Sequence, residues 1–143
     1  MPDIYLVGAD GSEGSKRAIR FAADQAKKTG ATLLLAHVIE WSRFEVMLAP
    51  EVADRHVVRE REIERAKDTI LKPAQELAGP DVATDTVVHH GHAAQGLADL
   101  AKEYKVSQIF IGRHGHANLG DLLHGSVVSN LSRICSVPVS VIP

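Results

Sequence analysis

Glycine at positions 112, 115 and 125, with Ser126 directly after the last, makes GRHGHANLGDLLHGS the stretch of this chain best equipped for chemistry. A strand-like apolar run, Gln108 to Ile111, precedes it, and a helix-like run, Val127 to Ile134, follows it. Glycine lets a backbone come close to a ligand and adopt positive φ. A loop that feeds a helix start also offers free N–H groups at a positive dipole end, which suits phosphate. Spacing alone fits two readings, a phosphate cradle and a plain strand-to-helix packing turn. No lysine follows Gly125, so the loop is not a Walker A loop. A bound nucleotide would be held mainly by backbone amides and a hydroxyl.

The elements around this loop decide between those readings. Ile4 to Ala9 reads as a buried strand closed by Asp10-Gly11, and Ser15 to Thr29 as a helix with Gly30 at its C-cap. Thr32 to Ile39 is a second buried strand, and Trp41 to Pro50 is a loop of apolar content. Glu51 to Leu77 reads as a charged helix with Ile63, Ala66, Ile70 and Leu77 inward, kinked or interrupted by Pro73. Val82 to Val88, Ser107 to Ile111 and Val137 to Ile142 supply three more strands, and Ala93 to Tyr104 another helix.

Strands alternating with helices imply parallel pairing through right-handed crossovers. The expected fold class is therefore α/β: a three-layer open sheet of five parallel strands, order 3-2-1-4-5, Rossmann-like, in a single domain over residues 1–143. Such sheets bind ligands outside the carboxyl ends of the strands, where strand order reverses. In this order the reversal brings Ala9-Asp10-Gly11-Ser12 and Gly112-Arg113-His114-Gly115 to one crevice. That convergence favours the phosphate cradle.

Size and composition narrow the function classes. At 143 residues, 45% apolar and 24% charged, the chain fits one soluble domain with its own core. A formal net charge of −2 argues against a nucleic-acid-binding surface. No apolar stretch reaches membrane-spanning length, and the N-terminus carries no signal-like segment. Cys135 is the sole cysteine, so no internal disulfide forms and a reducing cytoplasm is the expected location. Its neighbours Ile134 and Val137 make it a core thiol rather than a nucleophile.

With these residues in view, the whole chain resembles the universal stress protein family in its ATP-binding branch. VGADGS resembles the family's first strand and Asp-Gly-Ser turn, and Ala36-His37-Val38 the end of its second strand. Gly91-His92 stands where the family has a Gly-x-Pro-like turn, without the proline. The ATP-binding pattern G-x2-G-x9-G-[S/T] is met at Gly112, Gly115, Gly125 and Ser126. The terminal VPVSVIP resembles the last strand.

The resemblance implies a binding set of Ala9, Asp10, Gly11, Ser12, Val38, Gly112, Arg113, Gly115, Gly125, Ser126 and Val127. Asp10 would contact the ribose or the adenine edge, and the Val38 backbone the adenine. Gly112 and Gly115 would admit ribose and α-phosphate, and Gly125, Ser126 and the Val127 amide would take the β- and γ-phosphates. Arg113 is read either as positive charge for the phosphates or as a solvated guanidinium. Mg²⁺ held by phosphates and water, with Ser12 or Ser126 helping, is favoured over an all-protein metal site. His114, His116 and His124, like His89, His90 and His92, are read as polar loop residues.

Three functions fit these residues. One is an ATP-binding regulatory protein with slow hydrolysis at most and a regulated protein partner. Another is an ATP-hydrolysing or adenylyl-transferring enzyme, for which Asp121 and His124 are candidates to approach a γ-phosphate, Asp121 being read equally as a solvent-facing residue. Ala9-Asp10-Gly11-Ser12 does not match the SGGxDS loop of AMP-forming relatives, and no catalytic residue is assigned. The last is a nucleotide-independent dimeric scaffold. The resemblance implies a homodimer through Val137 to Ile142, where Pro138, lacking an N–H, suits an edge strand. The competing reading has the Glu51 helix or a loop cover that edge within one subunit.

Overall fold

A computed structural model describes residues 2–40, 52–113 and 126–143. Five strands form one parallel sheet: β1 (Ile4–Gly8), β2 (Thr32–Ile39), β3 (Thr84–His90), β4 (Gln108–Gly112) and β5 (Val139–Ile142). Their order is β3-β2-β1-β4-β5, as the alternation of elements implies. Because β1 lies between β2 and β4, its carboxyl end marks the reversal of strand order.

Side chains alternate across each strand and so build two cores. Tyr5, Val7, Leu33, Leu35 and Phe110 face α1 (Glu13–Thr29) and α3 (Lys72–Ala78). Leu6, Leu34, Ile109 and Ile111 face α4 (Ala93–Glu103) and α5 (Ser126–Ile134). Small residues on α1, among them Ala18, Ala22 and Ala26, let the helix lie close on the sheet. Burying each large aliphatic side chain here contributes about 1.5–3 kcal/mol.

The charged helix runs from α2 (Val52–Ala66) through a π-helical turn, Lys67–Leu71, into α3. The interruption that Pro73 calls for thus lies just ahead of the proline. Pro73 cannot donate an N–H to the turn before it, and the Lys72 N–H bonds instead to the Lys67 carbonyl five residues back. The wider turn resets the buried stripe, so Ala66 is followed by Leu71, Ala74 and Ala78. Ile63, Ile70 and Leu77, expected inward, lie half-buried beside that stripe.

Three elements differ from the sequence reading by two residues, α1, β3 and β5, the last of which starts at Val139 rather than Val137. α1 starts at Glu13 rather than Ser15, because Ser12 takes the N-cap and its hydroxyl accepts from the Ser15 N–H at 3.1 Å. β3 runs two residues later than expected, since its backbone pairs His89 and His90 with Val38 and Ile39 despite their polar side chains. Among the described residues β5 pairs with β4 alone, and Pro138 sits exposed just before it.

Candidate functional site

The turn after β1 is tightly determined. Ala9 is buried, and its N–H donates to the Ala36 carbonyl at 2.7 Å. Asp10 Oδ1 accepts from the Ser12 N–H at 2.9 Å and from the Ser12 hydroxyl, an Asx-type turn that Gly11 completes at φ +81°. The Asp10 N–H in turn donates to Ser15 Oγ at 3.3 Å. The half-buried Asp10 carboxylate is thereby anchored to the first turn of α1, beside the end of β1.

Strand alternation fixes what lies on either side of it. In β2 the Thr32 N–H bonds to Asp3 and the Ala36 carbonyl to Ala9, so even-numbered residues turn their backbone groups toward β1. Leu33 and Ile39 bond to the β3 side instead. Val38 therefore aims its N–H and C=O toward β1, two residues beyond the last β1–β2 pair, Gly8 with Ala36. In β4 the odd-numbered Ile109 and Arg113 donate to Pro138 and Ile142 of the β5 side. Gly112 accordingly faces β1 from the opposite flank. Two strand ends thus direct main-chain groups at the space that β1 vacates as it turns away at Asp10.

Side chains around this space are fixed by packing. Val38 extends its side chain toward α4, where a Cβ on Gly96 would stand 3.2 Å from its methyls. A Cβ on Gly112 would stand 2.6 Å from the Gly14 carbonyl carbon, so bare backbone at 112 is what allows α1 to seat on β4. Arg113 is exposed. Val127 is half-buried in α5 and packs on the Leu6 face of the core. Ser126 opens α5, directly after the segment that contains Gly115 and Gly125. Those two glycines, with His114, His116, Asp121 and His124, lie outside the described residues, as do residues 41–51.

Contacts that the sequence did not announce also meet at this end of the sheet. His37 Nδ1 lies 2.7 Å from the Ala9 carbonyl oxygen. Glu40 Oε1 accepts from the Ala93 N–H at 3.2 Å and so sits on the first turn of α4. His90 Nε2 lies 3.3 Å from Glu62 Oε2, joining α2 to the end of β3. A lone polar residue inside the apolar run TLLLAHVI was the available signal for His37; none marked Glu40 or Glu62. Among the described residues, no group of three or more His, Cys, Asp or Glu side chains is placed to hold a metal ion. Nor is any described helix long and apolar enough to cross a membrane.

The arrangement offers hydrogen-bond donors and acceptors in a row, a carboxylate at its centre and a helix start beyond it. Comparison with known proteins bears on what that row recognises. The whole chain, residues 1–143, matches the model of the Universal stress protein family. Universal stress protein YxiE of Bacillus subtilis is 30% identical over 146 residues, which cover 96% of each chain. Universal stress protein Rv2005c of Mycobacterium tuberculosis is 33% identical over 141 residues, covering 95% of this chain and 44% of that protein. The chain thus spans less than half the length of that mycobacterial relative.

Among solved structures, a universal stress protein of Archaeoglobus fulgidus in complex with dAMP is 20% identical with a TM-score of 0.69. The alignment covers 100% of this chain and 98% of that one. A universal stress protein in complex with cAMP is 24% identical with a TM-score of 0.68, covering 99% and 96%. At those identities the likeness is one of fold.

Proposed function

The chain belongs to the universal stress protein family, and from that premise we propose that it is an ATP-binding regulatory module whose shape, assembly or partner choice follows occupancy. The observation that carries this reading is the convergence of the Val38 and Gly112 main chains on the end of β1, beside Asp10. An adenine edge carries one donor and one acceptor side by side, which matches the N–H and C=O of a single strand residue such as Val38. The Asp10 carboxylate accepts from ribose hydroxyls. Gly112, Arg113 and Gly115 border the ribose and α-phosphate, while Gly125 and the amides of Ser126 and Val127 take the terminal phosphates at the start of α5. Ala9, Gly11 and Ser12 hold the Asp10 turn, and Mg²⁺ is carried by the phosphates with a serine hydroxyl, Ser12 or Ser126, assisting.

Universal stress proteins of like fold solved in complex with dAMP and cAMP support an adenine nucleotide as the ligand class. We assign no catalytic residue and expect hydrolysis that is slow at most, because the chain has no P-loop lysine to neutralise charge developing on a γ-phosphate. We place the module in the cytoplasm, in keeping with an unpaired Cys135, as a homodimer joined through β5 that signals to a protein partner.

The direct test is to denature freshly purified protein and identify the released ligand by HPLC and mass spectrometry. We expect adenine nucleotide near one per chain. Protein that carries none, and that takes up none from added ATP, would refute the reading.

A further inference from the structure

The contact between His37 and Ala9 has a consequence for the base-binding strand. A carbonyl oxygen only accepts, so the imidazole nitrogen 2.7 Å from the Ala9 oxygen must carry the proton, which fixes the tautomer as Nδ1–H. In a regular parallel ladder the residue that offers its N–H to that oxygen is the one two positions beyond Ala36. That residue is Val38. The Ala9 N–H already donates to Ala36, so the Val38 N–H is the next ladder donor on that side. The ring of the intervening residue competes for that acceptor, crowding the oxygen from the side at 2.7 Å.

We propose that His37 is a positioning residue: by donating to the Ala9 carbonyl, its ring keeps the Val38 N–H out of the β1–β2 ladder and presents it to the base of the nucleotide. The inference rests on the adenine-nucleotide reading above and assigns a duty to a side chain outside the binding set. Odd-numbered β2 residues face the Tyr5–Phe110 core, so the ring approaches Ala9 from that face, while Val38 packs its own side chain toward α4. His37 therefore acts on the donor without entering the space where the base would lie. It also satisfies the carbonyl of Ala9, the residue just after β1, so that the strand can stop there instead of extending along β2.

The test uses the full chain and two substitutions. His37→Phe keeps the ring volume and removes the donor; His37→Asn retains an amide N–H close to the position of imidazole Nδ1. Amide hydrogen exchange at Val38, read by NMR in nucleotide-free protein, should slow by about tenfold or more in His37→Phe as the ladder gains a rung. The wild-type rate should persist in His37→Asn. Isothermal titration with MgATP should show about tenfold weaker binding for His37→Phe and near wild-type binding for His37→Asn. A generally loosened fold would instead speed Val38 exchange, and His37→Leu offers a smaller donor-free side chain should phenylalanine prevent folding. Equal Val38 exchange in wild type and both donor-free variants overturns the inference even where ATP binds. Failure of wild type to bind ATP overturns the functional reading, and the exchange data then decide separately whether His37 governs the ladder.

Discussion

Gly112 and Gly14 meet backbone to backbone: a methyl group at 112 would lie 2.6 Å from the Gly14 carbonyl carbon and 2.7 Å from its oxygen. The contact sets how closely the first turn of α1, with the Asp10 anchor, approaches the end of β4. Backbone cannot rotate aside as a side chain can, so any substituent must push the helix away. Gly112→Ala should cost about 1–3 kcal/mol in urea denaturation, the usual range for overpacking. It should also weaken MgATP binding, because the turn and the strand end separate. Unchanged stability would mean that α1 shifts freely on the sheet.

Gly115→Val combined with Gly125→Val should abolish nucleotide binding and leave the cooperative unfolding transition in place. Among the described residues, the strands and helices around that segment build two core faces of their own, and the valines would block close approach of the main chain to phosphates. Circular dichroism and calorimetric titration distinguish the outcomes. Retained affinity would place the phosphates elsewhere.

Glu62 and His90 join α2 to the end of β3 at 3.3 Å, with side-chain exposures of 29% and 14%. Partial burial leaves the pair less screened than a surface contact, yet open enough to limit its worth. A double-mutant cycle of Glu62→Ala and His90→Ala should give a coupling of about 0.5–1 kcal/mol in thermal unfolding. Additive losses would show that the two side chains act independently.

Among the described residues β5 pairs only with β4, and Val141 on it is 38% exposed. A parallel sheet that ends in an apolar strand invites a second strand along its edge. We expect sedimentation to show a dimer, and Val141→Lys to shift it toward monomer, since a lysine on each copy sets like charges at the contact. A wild-type chain that sediments as monomer at all concentrations would remove β5 as an interface.

The order of the sheet was legible because each strand is a compact apolar run and each helix a separate stripe. The placement of Asp10 beside the end of β4 followed from that order alone. Less legible were relationships that need coordinates. The run TLLLAHVI marks His37 as an oddity but does not say that its ring reaches across to Ala9. Gly112 was read as room for a ligand, whereas its missing side chain also makes room for Gly14. Pro73 foretold an interruption, but only the backbone reveals that a wide turn ahead of the proline moves Leu71 into the core. A 3.6-residue period drawn through such a turn drifts by one position, which is why Ile70 and Leu77 were placed too deep.

The Glu40 carboxylate on the Ala93 amide has one more implication. Two helices, α4 and α5, start on the same side of the sheet, and both would attract an anion by their dipoles. One of them already carries a negative group of the chain's own. A polyphosphate that settled in the reversed pose, tail toward β3, would meet that charge and be repelled. A nucleotide bound as proposed would thus find the start of α4 already engaged by a carboxylate, which favours a pose with its phosphates directed away from β3.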